Sequence, residues 1–413
     1  MSRLDELIRN LCPDGVEYKT LGEIATNVYR GSGITREQVR EAGTPCVRYG
    51  EIYTTYGVWF ENCVSHTDET LLTSKKYFGY GDILFAITGE SVEDIAKCCA
   101  YIGHETCLAG GDIVVLKHNE DPKYLSYTLS TLDAQKQKSK GKVKSKVVHS
   151  SVPDIKAIRI PVPPLPVQRE IVRILDNFTE LTAELTAELT AELTVRKKQY
   201  AYYRDKLLTH FSETKETKIC KLADVCESIA DGDHMPPPKA DDGIPFITIS
   251  NITEQNKINF SNTMFVPSSY YDALADKRKP HSGDILYTVV GSYGIPVCIE
   301  QDTKFVFQRH IAILRPRSEV IKARYMFHAM QSGAFKAQAD KAAKGAAQKT
   351  IGLSSLAEMT LPVPDMCIQE RLIRVLDRFD TLCTDLSSGL PAEIKARQKQ
   401  YEYYRDKLLE FEK

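Results

Sequence analysis

A thirteen-residue block in the middle of this 413-residue chain recurs near its end. Arg196–Leu208 (RKKQYAYYRDKLL) returns as Arg397–Leu409 (RQKQYEYYRDKLL), 201 positions later. The same offset carries Pro161-Val162-Pro163 onto Pro362-Val363-Pro364, Gln168 onto Gln369 and Thr20-Leu21 onto Lys221-Leu222. Duplication over that range predicts two equivalent bodies in a fixed relation, which suits a target with two parts at a set distance.

The repeated blocks close two amphipathic runs. Ile171, Ile174, Leu175, Phe178, Leu181, Leu185, Leu189 and Leu193 follow three-and-four spacing, one face of a helix. Their copies Leu372, Val375, Leu376, Phe379, Leu382, Leu386, Leu390 and Ile394 are apolar throughout. Pro166 suits the first position of one helix and Asp365 the N-cap of the other. Gly389 and Pro391 should kink or weaken the second. A helix from Pro166 to Phe211 would run about 65 Å, and its apolar stripe needs a partner; the other copy is at hand, as an antiparallel pair about a pseudo-twofold axis. The pairing residues expected are Phe178, Leu181, Leu185, Leu189 and Leu193 with Phe379, Leu382, Leu386, Leu390 and Ile394. Within the first run, Leu181–Glu192 repeats Leu-Thr-Ala-Glu three times. Each tetrad drifts about 40° around a helix and adds about 6 Å, so the repeat acts as a length adjuster.

Ahead of each helix lies a mixed segment with short β-rich runs: Thr44–Tyr49 and Ile244–Ile249, then Gly81–Leu84 and Gly283–Leu286, then Asp112–Leu116 and Ile311–Leu314. Between these anchors the halves diverge, as two recognition domains for unlike targets would; drift after duplication is the plainer alternative. The opening Asp5-Glu6-Leu7-Ile8 resembles Asp205-Lys206-Leu207-Leu208, so the two termini are expected to lie together. The division expected is 1–155 as a first globular domain (1–12 packing with the C-terminal end), 156–213 as the central helix, 214–356 as a second globular domain and 357–413 as the C-terminal helix. The fold class is α+β: two β-rich α/β domains separated by two long antiparallel coiled-coil helices, with circular organisation.

Composition excludes more than it selects. No run of apolar residues is long enough for a membrane span, and the opening Met1–Glu6 lacks the apolar core expected of a signal peptide. The eleven cysteines include no Cys-x-x-Cys pair and sit mostly inside apolar runs, which fits buried reduced thiols in the cytoplasm rather than zinc. Net charge is −1, so nucleic-acid binding needs local patches or partners that share the phosphate contacts. P-loop, dinucleotide, His-Glu-x-x-His, amino-methyltransferase Asn-Pro-Pro and nucleophile-elbow motifs are missing. Asp231-Gly232-Asp233-His234 stands in a Pro-rich loop without partner carboxylates, so it predicts no metal centre.

Binding residues are better represented. Lys136, Lys138, Lys140, Lys142, Lys144 and Lys146 alternate, and on an extended segment would share a face for phosphates or guard an edge strand. Arg30, Ser32, Arg36, Ser91, His234, Asn251, Ser292, Tyr293, Arg309, Lys344, Gln348 and Lys349 are further candidates in loops. Several are of the types that read base edges in a major groove, although such residues populate all surface loops.

Taken together, the tetrad repeat, Pro-x-Pro-x-x-x-x-Gln at Pro161–Gln168 and Pro362–Gln369, the paired Gln-Tyr-x-Tyr-Tyr-Arg-Asp-Lys-Leu-Leu motifs, Gly243-Ile244-Pro245-Phe246 and Gln308-Arg309-His310 resemble the specificity subunits of type I restriction–modification systems. The resemblance spans the whole chain. It implies two target recognition domains, each reading half of a bipartite, asymmetric site in double-stranded DNA, with helices that set the spacer and bind two modification subunits. S-adenosylmethionine, ATP and Mg would sit on partner subunits, restriction subunits would join outside this chain, and the chain itself would be non-catalytic, with no metal or cofactor and no membrane association. The competing reading is a coiled-coil scaffold that binds protein without DNA readout; a stand-alone DNA-modifying enzyme is disfavoured by the missing motifs.

Overall fold

The two apolar runs both become helical, but differently. In the computed structural model, which describes residues 2–92, 94–138, 142–144, 147–212, 217–232, 237–346, 348–385 and 388–411, the central helix is continuous over Leu165–Ser212. Its copy is divided into a penultimate helix, Met366–Thr384, and a last helix, Leu390–Leu408. The break has a local cause. Pro391 has no N–H to continue a ladder and falls in the first turn of the new helix, where none is needed. A Cβ on Gly389 would lie 2.6 Å from the Thr381 carbonyl oxygen, so no side chain fits there. The central helix begins one residue before Pro166. Asp365 holds the N-cap position of the penultimate helix without a side-chain capping bond.

The chain forms two compact units, Met1–Ala187 with Lys395–Lys413, and Glu188–Ile394. In unit 1, β1 (Ala25–Arg30), β2 (Trp59–Phe60), β3 (Ile83–Ala86), β4 (Cys98–Tyr101) and β5 (Ile113–His118) form a sheet ordered β1-β5-β3-β4-β2. Strand β3 and most of β5 are buried on both faces, which is why they read as unbroken apolar runs. One face packs Phe85, Val114 and Leu116 with Tyr124 and Leu125 of helix Pro122–Leu129 and with Ile171 and Leu175 of the central helix. The other packs Leu84, Ile113 and Val115 with Phe78 and Tyr101. The N-terminal helix Arg3–Leu11 places Leu4 in the same core as Leu409, and the Tyr18 hydroxyl donates to the Phe411 carbonyl at 3.3 Å. The two ends of the chain therefore meet, as the sequence predicts.

Unit 2 repeats this plan with β6 (Cys226–Asp231), β7 (Ile285–Thr288), β8 (Pro296–Cys298) and β9 (Ile311–Pro316), ordered β6-β9-β7-β8. Each Gly-Asp-Ile-Leu turn is built alike. Gly81 and Gly283 take φ of +88° and +91°, and the buried Asp82 and Asp284 pair with Lys117 (2.9 Å) and Arg315 (3.1 Å).

The attachments of domain to helix are duplicated bond by bond. Gln168 accepts from the Asp121 N–H (2.9 Å) and donates to the Pro163 carbonyl (2.7 Å); Gln369 does the same with Lys322 (2.9 Å) and Pro364 (2.8 Å). Tyr124 and Tyr325 donate to the Pro161 and Pro362 carbonyls. In unit 1 the Leu132 N–H meets Asp406 of the last helix at 3.0 Å; in unit 2 the Gly333 N–H meets Asp205 of the central helix at 3.1 Å.

Within each unit the helices pair antiparallel. In unit 1 Leu175 shares a core with Leu409 while Phe178 stacks on Tyr404 at 6.4 Å. In unit 2 Leu372 shares a core with Leu208 while Phe379 stacks on Tyr203 at 6.0 Å. The expected stripe is drier at its N-terminal end than beyond it: Ile171 and Leu175 are fully buried against the domain, whereas Leu181 is 61% exposed and Leu185, Leu189 and Leu193 are half-buried. Leu382 is exposed, Leu390 and Ile394 are half-buried, and Leu386 lies outside the described residues. No helix among the described residues is long and apolar enough to cross a membrane.

The alternating lysines do not form one extended row. Lys136 and Lys138 belong to helix Leu132–Lys138, where period two has no meaning. Lys138 is 5% exposed, its amine 3.9 Å from the Cys98 sulfur, and burial pushes its pKa down. Among the described lysines of the run, Lys142 and Lys144 lie in a strand, Lys142–Lys144.

Candidate nucleic-acid interface

Both sheets end in the same crossing. Strand β1 runs off its partner at Gly31, whose N–H donates to the Ile113 carbonyl at 2.8 Å; β6 does so at Gly232, on Ile311 at 3.3 Å. A Cβ at either glycine would lie far inside van der Waals contact with backbone, 2.1 Å from Gly110 O and 2.0 Å from Phe307 O. The two glycines share the 201-residue offset. Beside them lies a tight turn into β5 or β9. In unit 1 it is Gly110-Gly111-Asp112, closed by Ile113 N–H to Gly110 O (3.1 Å); in unit 2 it is Gln308-Arg309-His310, closed by Ile311 N–H to Gln308 O (3.0 Å). Each turn is tied to a neighbouring strand by the same donor, Gly110 to Val47 O and Gln308 to Ile247 O.

A second loop joins at this end of each unit. Ile87 N–H donates to Asp112 O at 3.0 Å, and Val289 N–H to His310 O at 2.9 Å. In unit 1 the following Thr88–Gly89 strand pairs with Val147–His149, which pairs with Lys142–Lys144. In unit 2, Val290 and Lys344 both bridge to Thr350, and Gly291 N–H donates to Lys349 O at 3.0 Å. The topology thus collects residues scattered over more than a hundred positions.

In unit 1 the collection includes Arg30, Ser32, and the backbone of Lys142 and Lys144. Arg30 is fixed by its neighbours: Nε donates to Gly111 O and Nη2 to Asp112 Oδ1, each at 2.5 Å, with the side chain 58% exposed. The Ser32 N–H donates to Ala109 O, and its hydroxyl is buried. Ser91 follows the Thr88–Gly89 strand and is half-buried. Arg36 stands apart, exposed in a short 3-10 turn that leads into the other sheet. Lys140, Lys146 and His234 lie outside the described residues.

In unit 2, Arg309, Ser292, Lys344, Gln348 and Lys349 are all exposed at this end. Tyr293 joins them with its hydroxyl donating to Asp340 at 2.9 Å. Burial and the Arg309 charge hold His310 below its ordinary value, favouring the neutral ring. Asn251 is not part of this group. It is 7% exposed, accepts from Thr248 and donates to the Asn259 and Asn262 carbonyls, so its amide is spent on holding its own loop.

Asp112, which orients Arg30, was missed as a site residue, whereas Gln308-Arg309-His310 already stood out as a motif; the offset of Gly31 onto Gly232 was the available clue to the shared crossing. At the strand end the charges are inverted. Asp231 occupies the register of Arg30 and contacts Arg278 at 3.5 Å.

Comparison with known proteins places the chain. The family model for the type I restriction modification DNA specificity domain matches twice, over residues 13–195 and 214–396. A putative type I restriction enzyme specificity subunit of Haemophilus influenzae is 32% identical over 283 residues, 66% of this chain and 68% of that protein. A type I restriction enzyme specificity subunit of Escherichia coli is 34% identical over 318 residues, 70% of this chain and 71% of that one. A chain from a solved type I restriction–modification system superposes with a TM-score of 0.66 over 96% of this chain and 98% of its own, at 17% identity, a likeness of fold.

Proposed function

The chain belongs to the type I restriction–modification DNA specificity family, and we propose that each of its two units reads one half of a bipartite, asymmetric DNA site. DNA sequence recognition is the family's role, carried here by two tandem specificity domains. The observation that favours one half-site per unit is the pair of turns at Gly110–Asp112 and Gln308–His310. Their backbone bonds match while their side chains differ completely, as two readers on one scaffold require.

The helices set the spacer and dock two modification subunits. Those partners carry S-adenosylmethionine and the methylation chemistry, restriction subunits carry ATP and Mg, and this chain contributes recognition without catalysis, in the cytoplasm. A net charge of −1 fits that division, because partners then supply much of the phosphate contact. DNA rises about 3.4 Å per base pair along each strand. A tetrad of about 6 Å of helix therefore corresponds to between one and two base pairs.

Mapping methylated sites genome-wide tests the reading. Deleting Thr186–Leu189 is expected to shorten the unspecific gap by about one base pair with both half-sites intact. A changed half-site with an unchanged gap refutes the spacer role. Footprinting of the chain with its modification subunit separates a DNA reader from a protein scaffold, since only the reader protects a split asymmetric site.

A further inference from the structure

The two turns at the sheet ends differ in one respect that bears on which bases are read. In unit 2 the turn itself carries side chains, Gln308 half-buried and Arg309 exposed, and neither side chain has a bonding partner among the described residues. In unit 1 the turn offers Gly110 and Gly111, whose carbonyl and neighbouring Asp112 instead grip Arg30 from the adjacent strand. Each unit thus presents an exposed guanidinium beside a tight turn, from the strand in one copy and from the turn in the other. The strand end of unit 2 cannot do the same, because Asp231 stands there, engaged with Arg278.

We propose that Arg309 of unit 2 and Arg30 of unit 1 are the guanine-reading residues of their half-sites, with Gln308 in position to read an adjacent adenine. This rests on the reading of each unit as a half-site reader. A guanidinium matches guanine O6 and N7 bidentately, and a primary amide matches adenine N6 and N7. The two arginines differ in preorganisation. Arg30 is held by two short bonds and keeps its other N–H groups for a base edge, whereas Arg309 is held only through the rigid backbone of its turn. Lysine could replace neither: it offers a point charge where a planar fork is needed.

The test uses the full chain assembled with its modification subunits, reading methylation preference at every target position together with the salt dependence of binding. Arg309→Ala is expected to lose discrimination at one G·C pair of one half-site, between about 5- and 150-fold, with the other half-site and the salt slope unchanged. Arg30→Ala is expected to do so in the opposite half-site only. Arg309→Lys should resemble Arg309→Ala, and, by keeping the charge, shows that fork geometry rather than folding or net charge is at issue. A uniform loss of affinity with a shallower salt slope and full discrimination marks a phosphate contact and overturns the assignment. Retained discrimination at every position in Arg309→Ala overturns it too, while leaving half-site reading standing. If the unmutated assembly marks no bipartite site, both fall.

Discussion

One position inside each unit shows what duplication kept and what it released. Against the central helix of unit 1, Asp176 accepts from Lys123 (2.8 Å) and from the Tyr127 hydroxyl (2.8 Å). Against the penultimate helix of unit 2, Asp377 meets Arg324 (2.7 Å) and His328 Nε2 (2.7 Å), and the other ring nitrogen of His328 accepts from Tyr200 at 2.7 Å. All three pairs of positions share the 201-residue offset. The carboxylate stayed; its partners changed from a lysine and a phenol to an arginine and an imidazole. A half-buried carboxylate is best satisfied by a donor, but the chemistry of the donor is free. Unit 2 thereby acquired a titratable group where unit 1 has none near neutral pH.

That comparison can be broken or sharpened at several points. The glycines at the crossings should be equivalent and irreplaceable, since a side chain there meets backbone rather than a movable group. Gly31→Val or Gly232→Val is expected to cost about 3 kcal/mol or more, with loss of one half-site in the methylation pattern before the other. Equal tolerance of valine at both would show that the shared crossing does not hold the copies. Next come the carboxylates. Asp377→Asn should lower stability by roughly 2 kcal/mol, since Arg324 and His328 lose the negative charge they share, although Arg324 keeps Asp380. Asp176→Asn should cost about 1 kcal/mol, because Lys123 is free to turn to solvent. Urea midpoints that rank the two the other way would contradict the assignment of donors.

The histidine gives a pH prediction with a definite sign. Burial outweighs Asp377 and holds His328 below the ordinary value of 6.5, so acid protonates the unfolded chain first. Its contribution is complete above that ordinary value and is lost as pH falls toward the folded one. Thermal midpoints should drop more steeply from pH 7 to pH 5 in the unmutated chain than in His328→Tyr, which restores the residue of the other copy. Identical slopes would remove His328 from the account. Smallest is the exposed pair Arg196–Glu192 on the central helix, where Arg196→Ala should change stability by about 0.5 kcal/mol or less. A larger loss would mean that this face carries more than an i,i+4 pair.

Much of the fold was legible because helix period and duplication are local or additive signals. The break at Gly389 and Pro391 and the meeting of the two termini follow from backbone chemistry and the 201-residue offset; Phe178 and Phe379 are helical as their spacing predicts, but they stack on Tyr404 and Tyr203 rather than stripe against stripe. The alternating lysines show where such reading fails. Period two implies a strand only if the segment is extended, and Lys136 and Lys138 are instead helical, with Lys138 drawn into the core. Asn251 failed for a related reason: residue type announces hydrogen-bonding capacity, but not whether the fold has already used it.

What the sequence determined by itself is the number of bodies, the long helices and the family, since these depend on repetition and periodicity along the chain. Which side chains stand together at the sheet ends was decided only in three dimensions. Arg30 beside Asp112, and the segments of Arg309, Lys344 and Gln348 at one sheet end, are brought together by backbone pairing across long stretches of chain, and no local pattern encodes which loops a sheet will gather.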